Sequence, residues 1–250
     1  MTFILIILLG WVSGWLVNYL TDVLPATRSF SRPTCPKCGQ RLGWGDYLLY
    51  RNCGSCGARR GWRSLITQAV LTVGVLLLWF LSQNPAYHPV PFWLGYLILI
   101  YLAVVLIIDL EHRLILHQVS LFGAVLGLVT GIYLHQLIPT LLGGVAGFGV
   151  MLLFYFLGEL YIRIRSKRTG LPSDEVALGF GDVNLSGILG LMLGWPKIVL
   201  GLFIGVIAGG LISLIIILGM LLAKRYKAFT AIPYAPFLIL SAFLILFIIR

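Results

Sequence analysis

Long apolar segments are the feature that most constrains what this sequence can fold into. Seven runs of about 20 mostly apolar residues are evident, and an eighth is shorter and rich in glycine. A helix of that length crosses the hydrocarbon core of a bilayer, and the alternating pattern of a membrane β-barrel is absent. The sequence therefore predicts an all-α polytopic membrane protein of about eight transmembrane helices, at 2–20, 65–82, 91–110, 116–134, 139–160, 183–195, 197–223 and 232–249.

The composition and charge of the chain agree with a membrane environment. Apolar residues make up 60% of the 250 residues and charged residues only 10%, whereas a soluble domain carries about 25% charge. A net charge of +10 would suggest nucleic acid as a partner of a soluble protein. Here the basic residues lie in loops between apolar segments, where they set topology and contact anionic headgroups. We therefore expect the lipid bilayer as a partner and no nucleic acid.

The distribution of Lys and Arg predicts the orientation of the chain. Eight spans place the loops 21–64, 111–115, 161–182 and 224–231 on one side, and these hold all but two of the 18 basic residues. The other side has only Lys197 and Arg250. By the positive-inside rule the basic side is cytoplasmic and both termini lie outside. The first apolar segment lacks a basic start and a small-residue cleavage site, so we expect it to be a retained span.

Two Cys-x-x-Cys pairs in the first cytoplasmic loop predict a small zinc-ribbon-like insertion. Cys35 and Cys38 form the first pair, Cys53 and Cys56 the second, and a glycine follows each pair. Four sulfurs make a closed tetrahedral site, which favours structural Zn²⁺ over catalytic zinc. Two disulfides, redox chemistry or an iron–sulfur centre are the alternatives, and a reducing cytoplasm disfavours disulfides. The predicted organisation is a first transmembrane helix at 1–20, a zinc-binding insertion at 21–64 and a seven-helix membrane core at 65–250.

Two of the eight acidic residues stand at the ends of apolar segments. Asp109 closes the third span, and Asp182 opens the short sixth span after Gly179 and Gly181. A carboxylate in the membrane costs at least about 2.5–3.5 kcal/mol, so such residues are functional candidates, although either one could cap a helix or meet an arginine. Both fall near the same membrane depth on the cytoplasmic side. We therefore predict that Asp109 and Asp182 face each other, while sequence spacing does not give their separation.

A facing pair of carboxyl groups predicts aspartic-protease chemistry. Like-charge repulsion lets such a pair hold one proton near neutral pH. The ionised member takes a proton from water, and the protonated member polarises a peptide carbonyl. A membrane transporter and a non-catalytic zinc-ribbon membrane scaffold are the alternative functions. The nearly uncharged spans and the absence of an internal repeat speak against a transporter.

At these residues the sequence resembles the type IV prepilin peptidases, membrane aspartic proteases with a G-x-G-D signature. The resemblance covers nearly the whole chain. It rests on the two aspartate motifs, the paired cysteines, a Gly-x-x-x-Asn stretch in the first helix and the opening of the last one: Ile108–Arg113, Gly179–Val183, Cys35, Cys38, Cys53, Cys56, Gly14–Asn18 and Ile232–Phe237.

The resemblance implies a multi-pass enzyme of the bacterial inner membrane with Asp109 and Asp182 as catalytic residues. Its substrates would be prepilins or pseudopilins of type IV pili, type II secretion or DNA uptake, cut after a glycine on the cytoplasmic side. Longer family members also methylate the new N-terminus with S-adenosylmethionine. Gln68 stands where Glu is frequent in the family, which bears on methylation. Asn184 and the stretch 116–118 also depart from the pattern, and the oligomeric state is not predicted.

Overall fold

The computed structural model describes residues 2–59, 61–83, 90–169, 178–222 and 234–248. Within these ranges the chain forms helices α1 to α9 and no strand, apart from one isolated bridge between Thr34 and Arg41. The helices are α1 Thr2–Thr27, α2 Trp44–Leu48, α3 Trp62–Ser82, α4 Phe92–His112, α5 His117–His135, α6 Leu137–Thr169, α7 Phe180–Leu193, α8 Lys197–Leu222 and α9 Ala235–Phe247. The basic loop predicted at 224–231 and Arg250 lie outside the described residues.

The predicted all-α polytopic architecture is confirmed. Six helices (α1, α3, α4, α5, α6 and α8) are long and apolar enough to cross a membrane, and α7 and α9 are shorter apolar helices. Large apolar side chains point outward along them; Ile4 is 64% exposed, Ile138 71% and Val145 72%. In water such a surface would be unstable, whereas lipid tails cover it at no cost. The chain is therefore a multi-pass membrane protein.

The chain divides into two compact units, residues 1–108 and 109–250. In unit 1, α1 packs along α3, because Gly10 and Gly14 leave room for the facing backbone. A Cβ at Gly10 would lie 2.8 Å from the Cα of Thr72 on α3. The loop between α1 and α3 contains the four cysteines and the short helix α2. Unit 1 thus joins a close helix pair to the predicted zinc-binding insertion.

In unit 2, the short helix α7 is surrounded by α5, α6, α8 and α9. Its 14 residues span about 21 Å, less than the hydrocarbon core of a bilayer. Nine of these residues are buried, so α7 is held by protein rather than by lipid. Glycines on both helices bring α6 and α7 together; a Cβ at Gly143 would overlap the carbonyl oxygen of Gly190, and one at Gly190 would overlap that of Gly143. The position of α7 therefore depends on backbone-to-backbone packing.

This packing predicts different outcomes for two alanine substitutions on α6. Gly143→Ala should lower the stability of the folded protein by about 1–3 kcal/mol, because the added methyl group forces α6 and α7 apart. Gly149→Ala is the matched control, since a Cβ there meets nothing within 4 Å and alanine favours a helix. Thermal unfolding of both purified variants in detergent measures the difference. Equal stability of the two variants would contradict the close α6–α7 contact.

Candidate active site and candidate metal centre

Asp182 lies in the first turn of α7, where the backbone positions its carboxyl group. The helix begins after Gly179, and the N–H of Asp182 donates to the Gly179 carbonyl at 3.0 Å. The unpaired N–H groups of a helix start carry partial positive charge, which favours a carboxylate in this turn. The side chain is half-buried. Asp182 is thus held at the start of a helix that protein surrounds on several sides.

Asp109 lies in the last turn of α4 and is the first residue of unit 2. It is 5% exposed, and its Oδ2 atom is buried with no hydrogen-bond partner among the described residues. The charge of Arg113, one turn further along, attracts the carboxylate. Arg113 has a left-handed backbone (φ 53°), and its N–H donates to the Asp109 carbonyl at 2.8 Å. A buried carboxyl oxygen without a partner is uncommon and marks Asp109 as a functional candidate.

The structure brings the two predicted site residues together within unit 2. The negative charge of Asp109 repels that of Asp182, so the two carboxyl groups lie within electrostatic reach of each other. The connection between α4 and α5 accounts for this proximity, because Ile115 in that connection packs against Gly181 beside Asp182. The two aspartates are distant in the sequence but therefore lie in the same part of unit 2. Such an arrangement can exchange protons with water and with a bound carbonyl group.

The two glycines of the G-x-G-D segment have different roles. A Cβ at Gly181 would lie 3.0 Å from the Cβ of Ile115, which is tighter than ordinary contact. A Cβ at Gly179 would lie 3.6 Å from the Asp182 carboxylate and 4.0 Å from the Gly181 nitrogen, which are ordinary contacts. Neither residue has a positive φ, so neither position needs glycine for its backbone conformation. Gly181 is therefore the one that permits the close approach of the α4–α5 connection to α7.

Tyr234 is a residue near the site that the sequence reasoning did not single out. It precedes α9 and lies within electrostatic reach of Asp182. Its ring packs against α8, where a Cβ at Gly209 would come within 2.9 Å of it. The Ile232–Phe237 stretch resembles the opening of the last helix of the family. That stretch was the available signal, but nothing in the sequence linked it to Asp182.

The four cysteines form a compact group that fits a tetrahedral metal ion. Their sulfur atoms all lie within 4.8 Å of one another. The Sγ atoms of Cys35 and Cys56 are 3.6 Å apart, and those of Cys38 and Cys53 are 3.7 Å apart. Zn–S bonds of about 2.3 Å in a tetrahedron require sulfur separations of about 3.8 Å, whereas a disulfide needs about 2.05 Å. All four are free thiols, so the predicted disulfide alternative does not describe this structure.

The backbone around the cysteines favours the thiolate form of Cys35 and Cys53. Each pair closes a similar turn, in which Gly39 (φ 72°) donates to the Cys35 carbonyl and Gly57 (φ 65°) to that of Cys53. Hydrogen bonds from the backbone of Cys38 and Lys37 lower the pKa of the Cys35 thiol to about 6. Backbone hydrogen bonds from Cys56 and Ser55 likewise lower the pKa of Cys53. The four cysteines can therefore hold a metal such as zinc, which would order the insertion when bound.

The fit of the cysteine group predicts the metal content of the purified protein. Elemental analysis should find about one zinc per chain, because four thiolates complete one tetrahedral site. Cys35→Ser should lose nearly all of it, while Ser55→Ala, in the same loop but offering no sulfur, should retain it. Protein free of zinc with all four thiols open to alkylation would contradict the assignment.

Comparison with known proteins agrees with this arrangement. A model of the type IV leader peptidase family matches residues 93–214, just under half of the chain. The matched range contains Asp109, Ile115, Gly181 and Asp182. Neither the search of curated proteins nor the search of solved structures found a matching protein. The family match favours a peptidase over a transporter or a scaffold, and over residues 93–214 it confirms the predicted resemblance to the type IV leader peptidase family.

Proposed function

We propose that Asp109 and Asp182 are the catalytic pair of an aspartic endopeptidase that removes the leader from type IV prepilins or pseudopilins. The observation that carries the proposal is the electrostatic proximity of two carboxyl groups within unit 2. Both groups also lie inside the range matched by the leader peptidase family. Three other acidic residues have structural explanations, since Asp22 pairs with Arg63, Asp46 with Arg51 and Glu159 with Arg163.

The proposed chemistry needs only the two carboxyl groups and one water molecule. Repulsion between the carboxylates is relieved when the pair holds a single proton. The ionised carboxylate takes a proton from water as the water oxygen bonds to the carbonyl carbon of the scissile peptide. The protonated carboxyl group gives its proton to the carbonyl oxygen. The tetrahedral intermediate then collapses and the C–N bond breaks, as the carboxyl group that took the water proton gives it to the leaving nitrogen and the other carboxylate takes a proton back from the hydroxyl group of the intermediate.

The position of the pair suits a substrate that is partly in the membrane. Asp109 lies in the last turn of α4, and Asp182 lies in the first turn of the short helix α7. On the distribution of Lys and Arg, we propose that both lie on the cytoplasmic side with the insertion 21–64, and that both termini lie outside. A charged leader would then stay in the cytoplasm while the apolar segment of the prepilin remains in the bilayer. This orientation in a bacterial inner membrane belongs to the proposal.

Amide substitutions of the two aspartates test the pair. Asp109→Asn and Asp182→Asn should each lower the rate of leader cleavage by at least about 10²-fold, because an amide keeps the shape but cannot transfer the proton. A synthetic prepilin incubated with purified enzyme gives the rate, and thermal unfolding shows that each variant folds. Asp46→Asn is the matched control, because Asp46 pairs with Arg51 at 3.8 Å on the exposed insertion. Near-normal cleavage by either active-site variant would refute the pair.

We further propose that the enzyme methylates the new N-terminus with S-adenosylmethionine. The paired cysteines support this, since they resemble the insertion of the longer, methylating family members, while Gln68 departs from the usual Glu. We assign the insertion 21–64 to this second activity and the core 65–250 to cleavage.

A single incubation can separate the two activities. Cys35→Ser should reduce methylation more than cleavage, because loss of the metal disorders the insertion and leaves Asp109 and Asp182 in place. Enzyme, prepilin and a labelled methyl donor are incubated together, and both products are quantified, with Ser55→Ala as the control. Equal loss of both activities would assign the insertion to the peptidase itself. No methylation by the unmodified enzyme would remove the second activity.

A further inference from the structure

A cluster of polar side chains lies between α1 and α3 in unit 1, inside two otherwise apolar helices. Asn18 is fully buried, and Gln68 is only 1% exposed. Asn18 donates through Nδ2 to the Ser64 carbonyl at 3.0 Å, and Gln68 donates through Nε2 to the Trp11 carbonyl. Polar side chains in membrane helices are costly unless they are hydrogen-bonded, and they then hold neighbouring helices together. The cluster therefore bears directly on how α1 packs against α3.

Gly14 leaves the space that the Gln68 side chain occupies. A Cβ at Gly14 would lie 2.6 Å from Oε1 of Gln68 and 2.9 Å from its Cα. The Gln68 amide is thus held against α1, so few other hydrogen-bond partners are within its reach. Its Oε1 atom needs a donor at this position, because a buried acceptor without a partner is destabilising.

The donor comes from the cysteine insertion. The Tyr50 hydroxyl donates to Oε1 of Gln68 at 2.9 Å, and its oxygen accepts a longer hydrogen bond from Asn18 Nδ2 at 3.4 Å. One end of the Gln68 amide is therefore satisfied by α1, and the other by a residue between the two cysteine pairs.

The conformation of Tyr50 depends on its surroundings. Its backbone is left-handed (φ 55°), which a tyrosine adopts only where neighbouring structure holds it. Helix α2 ends shortly before Tyr50, and Cys53, the first cysteine of the second pair, follows three residues after Tyr50. The insertion has few buried side chains besides Cys35, Tyr47 and Cys53, so metal binding would supply much of its order. The order of the insertion thus determines whether the Tyr50 hydroxyl reaches Gln68.

We propose that Tyr50 is a latch that couples metal binding in the insertion to the packing of α1 against α3. With the four thiolates fixed, the insertion presents the Tyr50 hydroxyl to Gln68 and completes the buried polar cluster. Without that order the hydroxyl withdraws, Gln68 Oε1 loses its donor and the helix pair loosens. The coupling is reciprocal, so weakening the cluster also weakens metal binding by the same factor. The inference is independent of the peptidase assignment.

Hydrogen exchange of the full-length protein in detergent tests the latch. Peptides covering 62–72 are followed by mass spectrometry with zinc bound and after its removal by a chelator. Zinc removal should speed exchange in the unmodified protein by about tenfold, as expected for loss of one buried hydrogen bond. Tyr50→Phe with zinc bound should already exchange at nearly that faster rate, and zinc removal should add little. Non-additivity of this kind is the sign of direct coupling.

The control is another tyrosine hydroxyl that joins α1 to the same loop. The Tyr19 hydroxyl donates to the Ser31 carbonyl at 2.9 Å rather than to Gln68 or Asn18, so Tyr19→Phe should exchange like the unmodified protein. The proposal would be overturned if zinc-loaded Tyr50→Phe exchanged like the unmodified protein. It would also be overturned if the effects of the substitution and of zinc removal on the exchange rate were fully additive. If Tyr50→Phe does not retain zinc, the Gln68→Met variant is tested instead. Faster loss of zinc to a chelator than in the unmodified protein supports the latch, and an unchanged rate overturns it.

Discussion

The close packing of α7 against its neighbours is the constraint on which the candidate site depends. A helix of about 21 Å cannot be positioned by the thickness of a bilayer, so its depth is set by the helices around it. The backbone contact between Gly143 and Gly190 fixes α7 on one side. At its start, the contact between Gly181 and Ile115 brings the α4–α5 connection close. Asp182 is consequently located by close packing at small residues, together with its backbone hydrogen bond to Gly179.

The sequence predicted the helical membrane architecture because lipid allows few alternatives. A long apolar run in a bilayer must satisfy its backbone internally, so hydropathy alone identifies the spans. Hydropathy does not report where a helix ends. α6 was expected to stop near residue 160 but continues to Thr169, because leaving the hydrocarbon core does not break a helix. The ion pair between Glu159 and Arg163 at 2.6 Å is typical of such a continuation on a helix surface.

The candidate sites were predictable where residues close together in the sequence indicate the chemistry. Four cysteines at paired spacing indicate a metal site because both turns are short and closed by glycine. Asp109 and Asp182 stood out because each interrupts an apolar run, and the structure places them within electrostatic reach. The contacts between remote segments were not predictable, since no spacing relates Ile115 to Gly181 or Tyr50 to Gln68. Such contacts arise only after the helices have packed.

The unequal exposure of the two carboxyl groups has a consequence for how small molecules approach them. Asp109 is 5% exposed, while Asp182 is half-buried. Solvent therefore contacts more of the surface of Asp182 than of Asp109. An inhibitor with a hydroxyl group designed to sit between both acids would supply a hydrogen-bond donor to Oδ2 of Asp109, which has no partner among the described residues.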